Sequence, residues 1–210
     1  MATIPDPAAS ASDPQPAWDI ALLYPSQGDW SESQYLALDT NRLVELIDGN
    51  LVVLPMPTVI HQFIVWFLSE ALREFVLAHE LGNVVFAPLP VRIRPRTFRE
   101  PDIIFFPKGQ GVRPNDKCLN GASLVMEVVS ADDKSQKRDY DEKRADYAQL
   151  GIPEYWIVDP QRERIMVLVL HGTQYQVHGE FAPGEQATSA LLDGFSVDVT
   201  ATFAAGKNLS

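Results

Sequence analysis

The sequence predicts an α/β domain, a mixed β-sheet flanked by helices, and three observations lead there. Short runs rich in Ile, Val and Phe, such as Ile103–Phe106 and Ser123–Ser130, have the length and composition of buried strands. Two long helical stretches follow earlier strands: Thr58–Leu81 with a broad apolar stripe, and the charge-rich Asp133–Leu150. Strands then return at Glu154–Asp159 and Arg164–Leu170, so strands and helices alternate and the helices cover the sheet.

Taken from the N-terminus, residues 1–28 are rich in Pro, Ala, Ser and Asp without periodicity and read as a flexible tail, with Trp18, Leu22, Leu23 and Tyr24 as its packing residues. Ser31 is placed to cap a short helix, Glu32–Leu38. Two apolar runs then flank Asp48-Gly49-Asn50, a hairpin signal because these residues tolerate positive φ. The helix from Thr58 carries Ile60, Phe63, Ile64, Phe67, Leu68 and Leu72 on one face, with Gly82 as its expected stop. Asn83–Ala87 and Pro90–Arg94 read as strands, Pro88 and Pro90 making their connection irregular. Pro107–Gly121 is a Gly- and Pro-rich loop. Gly151 ends the second long helix. Tyr175–His178 is a further strand, Gly179–Gly184 a loop, and Leu191–Val199 the last element before a C-terminal tail at 201–210. The folded domain is thus expected over residues 29–200.

The charge balance narrows the function classes. A formal net charge of −11 argues against a general nucleic-acid binder, for which phosphate contacts dominate affinity. Its distribution softens that objection: residues 92–144 carry a net +3 and the rest of the chain −14. A single cysteine, Cys118, excludes an intrachain disulfide and a cysteine-based metal cluster, and suits a reducing cytoplasm. No apolar run approaches the ~20 residues that span a bilayer. The N-terminus lacks the basic start and apolar core of a secretory signal. A cytoplasmic protein without membrane contact is expected.

Two acids stand out because they interrupt apolar strands. Asp102 opens Ile103–Phe106, and Glu127 lies among Leu124, Val125, Met126, Val128 and Val129. An unpaired carboxylate there is costly unless something binds it. On the following helix Asp139, Lys143 and Tyr147 recur every four residues and share a face. Two strand carboxylates and a helix lysine are the ingredients of a metal site for phosphoryl chemistry. Each residue also has a plainer reading. Asp102 after Pro101 can cap a turn, Glu127 can form a buried ion pair with Lys143, and Lys143 can pair with Asp139 on an exposed face. Glu45 interrupts another apolar strand, as a solvent-facing residue or as an auxiliary acid. His61 sits in the first helical turn as a cap or a ligand. Arg92 and Arg94 share a strand face, either solvated or touching substrate phosphates. His171 and His178 fit no ligand spacing.

Four blocks, Glu45–Pro55, Pro101–Asp102, Glu127–Ser130 and Asp139–Pro160, together resemble the Uma2-type (DUF820-like) branch of the PD-(D/E)xK nuclease superfamily. The resemblance implies a restriction-endonuclease-like fold and metal-dependent endonucleolytic hydrolysis of DNA. It makes Asp102, Glu127 and the backbone carbonyl of Val128 the metal ligands and Lys143 the catalytic cation, with Glu45, His61, Asp139 and Tyr147 in support. Hard oxygen ligands favour Mg²⁺ or Mn²⁺. One departure matters: Val129 stands where the superfamily's lysine follows the glutamate, so Lys143 is expected to supply it from the helix. On that reading, replacing Lys143 removes a transition-state contact and leaves folding and metal binding intact. A homodimer is expected, because one site per chain cuts one strand. The rival reading is a binding or assembly module that keeps the fold but no longer cuts.

Overall fold

The computed structural model describes residues 24–40 and 42–207. Most of the N-terminal tail expected over residues 1–28, with Trp18, Leu22 and Leu23, lies outside the described residues; Tyr24 stacks on Trp30 with ring centroids 5.8 Å apart.

Helix α1 (Glu32–Leu36) is closed by a full capping box between Ser31 and Gln34. Strands β1 (Val44–Ile47) and β2 (Asn50–Val53) form the hairpin expected at Asp48-Gly49, whose φ values of 49° and 81° belong to the tight turn that those residues permit. Helix α2 (Val59–Ala78) begins on Thr58, whose hydroxyl accepts the His61 N–H. It ends four residues before the expected stop. Gly82 opens β3 (Gly82–Phe86) instead, because any Cβ there would sit 2.2 Å from the Phe106 carbonyl oxygen across the sheet. Strand β4 (Val91–Arg94) pairs with β5 (Thr97–Arg99), which the sequence reading missed, and then come β6 (Ile103–Pro107) and β7 (Leu124–Val128).

The long helix expected over 133–150 is three pieces. Helix α3 (Asp133–Lys137) passes into a π-helical turn, Arg138–Glu142, and then α4 (Lys143–Leu150), with the Lys143 N–H bonding back to the Arg138 carbonyl. Such wide turns concentrate at functional sites. Strands β8 (Glu154–Asp159), β9 (Arg164–His171) and β10 (Gln174–Phe181) follow. Residues expected as a loop from Gly179 belong to β10, which is bulged between Val177 and Gly179. A small hairpin of β11 (Gln186–Thr188) and β12 (Ser196–Asp198) leads into α5 (Val199–Ala205). The expected domain end at residue 200 therefore falls inside a helix, and Phe203 is buried against the core.

Beside the β11–β12 pair, the strands form a six-stranded sheet in the order β10-β9-β8-β7-β6-β3 and a four-stranded one, β2-β1-β5-β4. Only β7 and β8 run parallel in the larger sheet, so a crossover must join them, and the α3–π–α4 segment is that crossover. Alternation along the central strands sends Ile103, Phe105, Leu124 and Met126 under α2, and Ile104, Phe106, Val125 and Val129 toward Tyr147 of α4. Glu127 has the parity of the second set. The chain thus folds as an α/β domain with a mixed sheet flanked by helices.

Candidate active site

The β6–β7 ladder pairs Ile103 with Met126 and Ile104 with Val125, and one further step in that register sets Asp102 opposite Glu127. Opposed residues share a face. The two acids therefore meet at the end of the ladder, on the side where α4 packs. Asp102 Oδ2 accepts the Val128 N–H at 2.7 Å and lies 3.3 Å from His61 Nε2, which the first turn of α2 delivers. Glu127 accepts the Lys143 ammonium on Oε2 at 2.7 Å and the Tyr147 hydroxyl on Oε1 at 2.5 Å. The wide turn before α4 brings Asp139 to the same lysine, 3.6 Å away, and Glu45 reaches it from β1 at 3.5 Å. Glu45 is wholly buried, so its solvent-facing reading does not hold.

Asp102, Glu127, His61, Asp139 and Lys143 line a cavity of about 30 Å³ with Glu100, Arg138, Ser130 and Val128. That is more than the ~10–15 Å³ needed to admit a water. A larger apolar groove of about 410 Å³, lined by Met56, Ile60 and Phe203 among others, adjoins it at Pro55, His61 and Ser130. Arg92 and Arg94 are elsewhere. Arg92 forms a forked pair with Glu32, and Arg94 is held between Asp48 and Asp146. Neither lines the cavity.

Four residues of the network had no role in the sequence reading. Arg99, on β5, bridges Glu45 and Asp146 at 2.7 Å each, and the Glu100 N–H donates to Glu45 at 3.1 Å. Arg138 pairs with Asp139 at 3.2 Å. Arg99 and Glu100 directly precede the Pro101-Asp102 motif, yet no spacing in the sequence ties them to Glu45 or Asp146.

The electrostatics follow from burial. Burial alone would raise Asp102, but His61, Lys143 and the Val128 N–H hold it below the usual carboxylate range. Burial would likewise raise Glu45, and Lys143 and Arg99 overcome it. Burial pushes Glu127 up to about 8; Lys143 resists, while Asp139 and Asp102 add to the rise. Burial also raises Asp139. Burial would lower Lys143, but Glu127, Glu45 and Asp139 raise it, so the ammonium stays charged. Burial would lower His61, and Asp102 wins and raises it. The contacts to Glu127 are those of an ionised acid, while burial, with Asp139 and Asp102 close by, pulls its pKa upward. Both are accounted for by the lining: Glu100, Asp102, Glu127 and Asp139 face Lys143, Arg138 and at most a protonated His61. Fully ionised, these four acids exceed the cations of the lining by at least one charge.

That excess, and the hard oxygens producing it, fit a divalent ion such as Mg²⁺ or Mn²⁺. Among the described residues no three His, Cys, Asp or Glu side chains form a ready-made metal cage. Mg²⁺ does not require one, since it is held by one or two carboxylates and keeps several waters.

The family model named Uma2, described as "Putative restriction endonuclease", matches residues 32–200. The chain belongs to the Uma2 family. A crystal structure described as that of a putative nuclease belonging to DUF820, from Anabaena variabilis ATCC 29413, superposes with a TM-score of 0.68 at 17% identity. It covers 84% of this chain and 98% of that one, and at such identity the likeness speaks for the fold, which is restriction-endonuclease-like. No curated protein matches the chain. For this Uma2 member the family supports a nuclease in general terms, and divalent metal use is general among nucleases of this fold.

Proposed function

We propose that this Uma2 protein is a divalent-metal-dependent endonuclease that hydrolyses phosphodiester bonds in DNA. The observation that carries the reading is the meeting of Asp102 and Glu127 across β6 and β7, in a cavity where carboxylates outnumber cationic side chains. Asp102, Glu127 and the Val128 carbonyl would hold Mg²⁺ or Mn²⁺. A bound ion would polarise the phosphate and lower the pKa of a water, terms that positioned acid–base groups, at about 10²–10⁴-fold, do not supply alone.

The chain's own groups do the rest. Lys143 and Tyr147 fix both oxygens of Glu127, and the Val128 N–H and His61 fix Asp102. Lys143 lines the cavity with its ammonium charged, and so orients the attacking water or offsets charge developing on the phosphate. A cytoplasmic homodimer, one site per DNA strand, completes the reading. Among the described residues no helix is long and apolar enough to cross a membrane.

The test is conversion of supercoiled plasmid to nicked and linear forms with Mg²⁺ or Mn²⁺, and its loss with EDTA. Plasmid left intact at micromolar protein with either ion would leave only the non-cutting rival. A pH dependence follows as well. Glu127 and Glu100, raised to about 8 and about 7, must lose protons before they can face a cation. Ion affinity is expected to strengthen as pH rises from about 6 to about 8.5, with proton release on binding. Raised acids favour folding fully below their ordinary pKa near 4.5, and that contribution is lost as pH rises through 7 and 8. The ion-free protein should therefore melt lower at pH 8.5 than at pH 6, and added Mn²⁺ should narrow the gap. Calorimetric titrations in buffers of different ionisation enthalpy would check both, and a flat affinity between pH 6 and 8.5 would contradict them.

A further inference from the structure

Glu100 is placed unlike the other acids of the cavity. It sits between β5 and Asp102, in the wall separating the cavity from a second cleft lined by Tyr35, Arg42 and Lys117. Its Oε2 is buried without a hydrogen-bond partner among the described residues. Its Oε1 has a 3.4 Å contact with the Tyr35 hydroxyl, whose single proton is better spent on the Val44 carbonyl at 2.8 Å. The structural duty at this corner falls to Glu45, whose two oxygens take Arg99 and the Glu100 N–H. Glu100 is thus a part-buried carboxylate facing other acids, with one buried oxygen that meets no donor.

We propose that Glu100 is a third acidic residue of the cation site, accepting hydrogen bonds from the hydration shell of a divalent ion held by Asp102 and Glu127. The inference rests on the preceding reading of that pair. Glu100 lines the same cavity as the pair with its Oε2 free of donors, which suits a partner for ordered water rather than a ligand of the ion itself. Mg²⁺ and Mn²⁺ suit that division, because the outer carboxylates of such sites act through ordered water and through charge.

The test is calorimetric titration of Mn²⁺ alone into the wild-type chain, Glu100→Gln, and Glu180→Gln as an exposed charge control on β10. Glu100→Gln is expected to raise the Kd about 10–100-fold, the usual effect of losing an outer-shell partner, and Glu180→Gln to leave it unchanged. The ion-free melting temperature of Glu100→Gln should equal or exceed that of the wild type, since an unpaired charge is removed. Binding of Mn²⁺ by Glu100→Gln at wild-type affinity would overturn the assignment while leaving Asp102 and Glu127 in place. A variant that melts well below the wild type without the ion would overturn it too, making Glu100 a structural prop. Failure of the wild type itself to bind Mn²⁺ would remove the cation reading as a whole, and is seen before any variant is compared.

Discussion

Asp102→Asn is expected to abolish plasmid cleavage, by a factor of at least ~10³, while the protein stays folded. The substitution is isosteric, and the amide oxygen can still accept the Val128 N–H that now reaches Asp102 Oδ2 at 2.7 Å. What it removes is the charge, and with it the pair to His61 and the cavity's best-placed ligand for a divalent ion. Of the acids lining the cavity, Asp102 is the one held below its ordinary pKa, because His61, Lys143 and a backbone donor outweigh its burial. A factor of 10³ corresponds to about 4 kcal/mol, within the several kcal/mol a Lewis acid supplies. Melting curves with and without Mn²⁺ give a second readout: the ion should raise the wild-type melting temperature and leave that of Asp102→Asn unmoved. Nicking by the variant at a rate near wild type would sink the site as drawn.

Lys143→Ala is expected to lower stability by about 3–5 kcal/mol at neutral pH, contrary to the expectation from sequence that folding would be untouched. The ammonium is only 1% exposed and lies within 3.6 Å of Glu127, Asp139 and Glu45, themselves almost wholly buried. Removing it strands three carboxylates in a small dry volume, and their cheapest escape is to take up protons. The loss should accordingly be smaller at pH 5 than at pH 8. At about 2–4 °C per kcal/mol for a chain of this size, the melting temperature should fall by roughly 6–20 °C. A fall of less than 2 °C at pH 8 would mean that the acids are neutral in the wild type. Lost cleavage in this variant alone would not separate a catalytic lysine from a structural one, so Asp102→Asn is the cleaner probe of chemistry.

How much of this could be read from the chain depends on whether the cause is local. Asp102 and Glu127 announce themselves because a carboxylate inside a run of Ile, Val and Phe has no cheap explanation. The hairpin at Asp48-Gly49 and the start of α2 at Thr58 are similarly legible, since turn and cap chemistry act over two or three residues. The four-residue recurrence of Asp139, Lys143 and Tyr147 was visible, but not the π-helical turn between its first two members, because a wide turn and an ordinary one carry the same sequence pattern. Arg92 and Arg94 look equally free on paper. Only the folded chain brings Glu32, Asp48 and Asp146 to them and takes them from the cavity.

The sequence by itself determined most of the strand and helix order, the family, and the two acids that interrupt apolar strands, because propensity and alternation are short-range properties. The tertiary structure alone decided what those acids experience. Arg99 reaches Glu45 from a strand the sequence did not signal, Lys143 is enclosed rather than exposed, and Glu100 is left with an oxygen that no donor meets. Each depends on charges distant in the chain sharing a few cubic ångströms of low dielectric. There burial and each neighbouring charge shift every titrating group, and no local pattern records that balance.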